Sequence, residues 1–266
     1  MKTKAFYLVI LFCLSLFLNA YGSKIEQADS AYYAGDYTKA KDLYNEIIDQ
    51  SGISAGLLYN LGNSYYKLGK DGEAILCYER AKKLAPGNIK IKQNLDYLTT
   101  RVNDANAASN KDEKITDDKQ ESFLMNIYQV IVLETGSNSW AVFAIMSFFL
   151  LLGSLCLYFF TPNVLARKTG FFSSLIFLGF TIIFVVFSFI GANQYQKKDE
   201  AILLEYSVEL YKEPLEKSET SNITLHKGTK FQIVDEKNDE MGVDWLKVRY
   251  RNEKSGWIKK DKVAII

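Results

Sequence analysis

Between residues 24 and 103 apolar and small side chains recur three and four positions apart, the spacing that lines one face of a helix. The pattern predicts five helices: Lys24 to Ala34, Tyr37 to Gln50, Ser54 to Leu68, Glu73 to Leu84 and Ile89 to Val102. The breaks between them carry turn chemistry, Gly35-Asp36, Gly69-Lys70-Asp71-Gly72 and Ala85-Pro86-Gly87-Asn88, with Asp36 placed as an N-cap. Residues 104–120 are polar and charged and cannot bury enough surface to offset their ordering entropy, so a flexible linker is expected. Phe123, Ile127, Tyr128, Val130 and Ile131 then make residues 121–138 an amphipathic, interfacial segment. Residues 139–160 and 170–191 lack any charge. At ~1.5 Å per residue each reaches about 33 Å, enough to cross a bilayer core. Beyond Tyr195 the period changes to that of strands, with Glu205 to Tyr211, Lys230 to Val234, Asp244 to Tyr250, Gly256 to Ile258 and a last apolar run separated by turn residues.

These patterns define a multidomain membrane protein: an all-α solenoid over 23–103, transmembrane helices over 139–160 and 170–191, and a small all-β barrel over 202–266. Residues 1–22 read as a signal peptide, with Lys2 and Lys4 before the apolar stretch Ala5 to Leu18 and small residues in Ala20-Tyr21-Gly22. The loop at 161–169 holds Arg167 and Lys168 and no acid, which makes it cytoplasmic by the positive-inside rule. A two-pass protein of the inner membrane, with both terminal domains in the periplasm, is the expected topology.

Composition narrows the function classes. With 32 basic and 31 acidic residues the formal charge is +1, so no field recruits nucleic acid. Cys13, Cys77 and Cys156 show no metal or redox spacing, and the lone His226 reads as a surface residue of a β-turn. One histidine supports no His-dependent triad, and no Gly-rich phosphate loop occurs. Asp117-Asp118 and Asp239-Glu240 lie in loop-like sequence and read as solvated surface. The expectation is a protein that is not an enzyme and has no cofactor, no metal and no nucleic-acid partner.

The helical region repeats at 34 residues. Leu58, Leu61, Gly62, Tyr65, Gly69, Ala74, Tyr78, Ala81 and Pro86 resemble the tetratricopeptide repeat, and Ala28, Ala31, Gly35, Ala40, Tyr44 and Ile47 form a weaker copy ahead of it. The helix at 89–102 is the expected cap, although about three repeats are usually needed for stability, so a further element or a partner has to supply burial. The resemblance implies a concave groove lined by the first helix of each hairpin: Tyr59, Asn60, Asn63, Tyr66 and Lys67 on the second repeat, Ile25, Asp29 and Tyr32 on the first. Asn60 stands where carboxylate-gripping repeats keep an asparagine, but the matching basic residue is missing. Gly62, Tyr65, Ala74, Tyr78 and Ala81 read as packing residues. From residue 202 onward, Gly228-Thr229, Trp245-Leu246-Lys247-Val248 and Gly256-Trp257-Ile258 resemble the bacterial SH3-like domain, a barrel of five short strands. Trp257 reads as core, while Trp245 fits either core or an aromatic ligand surface.

The order of signal, repeats, polar linker, membrane hairpin and SH3-like domain resembles the BatE-type proteins of the Bacteroides aerotolerance operon over essentially the whole chain. That resemblance implies an inner-membrane scaffold in an oxidative-stress complex. Its implied partners are von Willebrand factor A-domain membrane proteins and a MoxR-type ATPase system. Two functions stay open on the residues. One is a non-enzymatic periplasmic scaffold that binds proteins through the repeats; the other is a cell-wall receptor whose SH3-like domain binds peptidoglycan while the repeats recruit an envelope enzyme.

Overall fold

The computed structural model describes residues 24–109, 131–132, 135–216, 218–239, 241–250 and 254–266. The expected signal peptide, the linker beyond residue 109 and most of the interfacial segment lie outside these residues. The chain divides into two compact units. One holds the repeat helices together with the C-terminal sheet; the other holds the two long apolar helices.

In the first unit, α1 covers residues 24–33, followed by α2 (Tyr37–Ser51), α3 (Ala55–Lys67), α4 (Asp71–Leu84) and α5 (Ile89–Ser109). Asp36 caps α2 by accepting from the Lys39 N–H at 3.1 Å, and Ser54 caps α3 through the Leu57 N–H at 3.2 Å. Ala28, Ala31, Ala40, Tyr44, Ile47, Leu57, Leu61 and Cys77 form a core between the hairpins. Small residues allow this approach. A Cβ built on Gly62 would lie 2.6 Å from a Tyr78 ring carbon. α5 runs further than its apolar period implied, so Asp104 to Ser109 are helical rather than part of a linker. Alanine at 105, 107 and 108 favours the helix, and Asn106 finds buried partners that a solvated linker would not offer.

The C-terminal part is a seven-stranded antiparallel sheet: β1 (Glu200–Leu203), β2 (Ser207–Tyr211), β3 (Thr220–His226), β4 (Lys230–Asn238), β5 (Asp244–Tyr250), β6 (Lys254–Lys259) and β7 (Val263–Ile265), in the order β3-β2-β6-β5-β4-β1-β7. The sheet is open, ending at β3 on one side and β7 on the other, where the sequence suggested a five-stranded barrel. Two strands had no clear signal. β3 is polar, and β1 lacks alternation because it is buried on both sides. Ala201 and Leu203 enter the sheet core with Leu210, Leu225, Phe231, Leu246, Val248, Tyr250 and Ile258. Ile202 alternates to the opposite face and is still fully buried.

The second unit is a helical hairpin of α6 (Ser137–Phe160) and α7 (Val164–Gln196). Both are long and apolar enough to cross a membrane. Their outward-facing leucine, isoleucine, valine and phenylalanine side chains are largely exposed, while the seam between them carries small and hydroxyl side chains, with buried Trp140 packed on Phe184 and Phe187. The Ser147 hydroxyl donates to the Phe177 carbonyl at 3.0 Å, Thr181 donates to Ser147 at 3.1 Å and Ser188 donates to the Ser137 carbonyl at 3.1 Å. A Cβ on Gly170 would meet the Ser154 carbonyl oxygen at 2.8 Å. Small-residue seams of this kind suit helices that associate in lipid. The loop expected over 161–169 shrinks to Thr161–Asn163, because the Asn163 side chain caps α7 by accepting from the Leu165 N–H at 2.9 Å. Arg167 and Lys168 therefore stand in the first turns of α7.

Gly62→Leu should drive a branched side chain into the Tyr78 ring and cost about 1–3 kcal/mol by overpacking. Chemical denaturation of the full chain in detergent should show a lower midpoint; an unchanged midpoint would contradict the packing described.

Candidate functional site

The polar residues of the groove are tied together with the 34-residue period of the repeat. In the first repeat Tyr44 of α2 donates a hydrogen bond to Asp29 of α1, and Asn60 of α3 donates to the same oxygen at 3.3 Å. One repeat later each member recurs: Tyr78 of α4 donates to Asn63 of α3 at 2.7 Å, and Asn94 of α5 donates to Asn63 at 3.0 Å. Asn94 also reaches the Tyr59 and Tyr78 hydroxyls at 3.4 Å. Each set joins a hairpin to the first helix of the next one. The polar atoms at the base of the groove thus satisfy one another as the helices stack, which removes the penalty of burying them.

This ladder divides the expected groove residues. Asn60 and Asn63 are half-buried and committed to inter-helix bonds. Tyr59 packs its ring 5.9 Å from Tyr78 and receives a bond from Asn94. Tyr66 and Lys67 stand higher on the wall. The Tyr66 ring meets Tyr97 of α5 edge-on at 6.2 Å, and Lys67 is exposed with its ammonium 6.0 Å from the Tyr66 centroid. Tyr97 is 58% exposed and was not singled out from the sequence. Its signal was the period itself: Asp29, Asn63 and Tyr97 are successive members of one 34-residue series, as are Asn60 and Asn94. In the first repeat Tyr32 stacks edge-on with Tyr33 at 5.8 Å and Tyr37 at 5.3 Å, and Tyr33 is almost fully exposed. The accessible side chains are therefore the Tyr66–Tyr97 pair with Lys67 and, on the first repeat, Tyr33. Such side chains give large, rigid contact area at low entropy cost.

Trp245 resolves to core. It is fully buried, its ring meets Tyr211 edge-on at 5.1 Å, and its indole N–H donates to Asp239 at 3.1 Å. No ligand ledge is left there, because the side chain that would form it fills the sheet. Trp257 is buried as well, with the Lys237 ammonium 5.4 Å from its centroid. Asp239, expected to be a solvated surface group, organises the β4–β5 turn. Its carboxylate accepts from the Val243 N–H and the Met241 N–H, both at 2.9 Å, and from Trp245. Those bonds, led by Val243, hold it below the usual carboxylate range. His226 is half-buried at the end of β3, with Nε2 2.6 Å from the Ser109 hydroxyl of α5.

Burial raises the phenols of Tyr44 and Tyr78 well above the ordinary value near 10, and for Tyr44 the bond to Asp29 raises it further. A raised folded-state value means that the unfolded chain loses its protons first as pH climbs. The stabilisation from these two groups is complete below about pH 10 and declines above it. An ultraviolet difference titration should leave a late-ionising class of tyrosines after the exposed ones ionise, and the Tyr44→Phe, Tyr78→Phe variant should lose two from that class. Titration of every tyrosine in one step would contradict the ladder.

Residues 25–89 match the family model described as Tetratricopeptide repeat. No curated protein matches the chain. The matched segment spans α1 to α4 and contains both hydrogen-bonded sets except Asn94, while α5, with Asn94 and Tyr97, lies beyond it.

Proposed function

We propose that the chain is a non-enzymatic scaffold, anchored in a membrane by the α6–α7 hairpin, which holds partner proteins on the exposed aromatic side chains of its repeats. The observation that carries this reading is the split within the groove: its base is internally satisfied, while Tyr33, Tyr66, Tyr97 and Lys67 are left presented. Tetratricopeptide repeats point to protein–protein interaction in general. Membrane anchoring draws support from two helices of sufficient length with exposed apolar faces and a seam of small residues. Placement of both terminal regions on one membrane face is supported by their packing into one unit, since the chain between them must then cross an even number of times. The Arg167-Lys168 pair at the hairpin tip favours a cytoplasmic tip and hence periplasmic repeats. A Bat-type stress complex at the inner membrane, with von Willebrand factor A-domain proteins and a MoxR-type ATPase system as neighbours, is the assembly that the sequence resemblance suggests. The receptor reading is weaker, because Trp245 is unavailable to peptidoglycan.

Two variants separate binding from packing. Lys67→Ala with Tyr97→Ala alters exposed side chains and should shift stability by only about 0.5 kcal/mol each. It should nevertheless sharply reduce recovery of partner proteins from a detergent pull-down, as loss of an aromatic anchor can cost about 2 kcal/mol or more. Asn63→Ala should do the reverse in order of cause, lowering the melting midpoint by breaking the ladder. Undiminished recovery by the Lys67, Tyr97 variant would place the binding surface elsewhere. Orientation is read by alkaline-phosphatase fusions: activity near residues 110 and 230 and silence near 162 are expected, and the opposite pattern would overturn the periplasmic assignment.

A further inference from the structure

The exposed end of a two-repeat solenoid has to be covered, and in this chain the cover comes from beyond the apolar hairpin. Asn106, in the last turns of α5, is fully buried. Its carbonyl oxygen accepts from the His226 N–H at 2.9 Å, and its amide donates to the Thr229 hydroxyl at 2.9 Å and to the Tyr250 hydroxyl at 3.3 Å. One side chain on the repeat side thus engages β3, the β3–β4 turn and β5. The turn enters the helices closely. Gly228 has φ +89, and a Cβ there would lie 2.8 Å from Ile75 of α4 and 3.0 Å from Val102 of α5. A Cβ on Gly72 of α4 would in turn meet Lys227 at 2.7 Å and the Leu203 carbonyl at 3.2 Å.

Charge follows the same seam. Lys230 of β4 pairs with Glu79 of α4 at 3.1 Å and with Glu200 of β1 at 2.9 Å, and Glu79 is only 6% exposed. Ile202 lies directly opposite Lys230 in the β1–β4 register, so both project from the sheet face that α4 covers. Lys227 pairs with Glu73 at 3.0 Å, and Arg80 donates to the Ile265 carbonyl at 2.8 Å. A buried carboxylate and a buried carboxamide that bond across one boundary do not fit two domains that merely touch.

We infer that the C-terminal sheet is the terminal cap of the repeat solenoid, so that the groove-bearing body is a single cooperative unit built from two chain segments on either side of the apolar hairpin. The repeats then reach their final stability only after β1 to β7 have docked. A further repeat or a partner cannot stack on α4 and α5 where the sheet lies, and binding is confined to the lateral aromatic side chains. This inference stands without the scaffold reading, because it concerns which parts fold together and not what they bind.

Hydrogen exchange on the full chain in detergent tests it. Asn106→Ala should accelerate exchange in α4 and α5 and also in β3 and β4, by at least roughly tenfold in both, since buried groups lose partners on each side of the seam. Asp104→Ala, an exposed position on the same helix, is the control and should change neither. Acceleration on one side alone would overturn the inference. If the Asn106 variant fails to accumulate, a urea series on the unaltered chain decides. A common midpoint for α4, α5, β3 and β4 is expected, whereas separate midpoints for helices and sheet would show two independent domains.

Discussion

A buried polar group must find its partners somewhere, and Asn106 finds them in residues that lie 120, 123 and 144 positions later along the sequence. That constraint organises the larger unit. It extends α5 past its apolar period, pins the β3–β4 turn against α4 and α5, and brings Lys230 to Glu79. The last pair shows how the balance is struck. Burial disfavours charge on Lys230, yet Glu79 and Glu200 together more than offset it, and its pKa is raised. The shortage of repeats, which would leave the apolar end of a solenoid open, is met by the chain itself.

Within the repeats, hydrogen bonding and packing divide the work. Gly62, Ala40, Ala74 and Ala81 let helices approach, and the tyrosines at 44 and 78 fill the space while sending hydroxyls to Asp29 and Asn63. Because the base of the groove is self-satisfied, its residues have little hydrogen-bonding capacity left for a ligand. On the proposed scaffold reading, recognition falls to the rim, where aromatic faces and the Lys67 ammonium are accessible. That arrangement suits a protein surface more than a small polar ligand, whose recognition depends on free donors and acceptors.

Features carried by local periodicity were legible in the sequence. The five repeat helices, the two apolar helices and most strands occur close to their expected places, since helix and strand patterns are properties of neighbouring residues. What failed depended on distant partners. β1 was hidden because both faces are covered; β3 was hidden because polar residues occupy an edge strand. The barrel became an open sheet of seven strands. Trp245 fits either role by local sequence, and it is Asp239 of the β4–β5 turn and Tyr211 of β2 that hold it inside. Asn60 and Asn63 looked like ligand contacts because their partners, Asp29, Tyr78 and Asn94, belong to other helices. Comparing every position at the 34-residue offset, and not only the signature ones, exposes that ladder.

The most direct measure of the account is a double-mutant cycle across the seam, with Glu79→Gln in α4 and Lys230→Met in β4. It is read as the denaturation midpoint of the full chain in detergent, followed by exchange in α4. One body predicts coupling of about 0.5–3 kcal/mol between the two positions, because Lys230→Met strands the buried Glu79 carboxylate and Glu79→Gln leaves Lys230 with Glu200 as its carboxylate partner. Effects that add within about 0.3–0.5 kcal/mol would contradict it, and the sheet would then be a neighbour of the repeats instead of their cap.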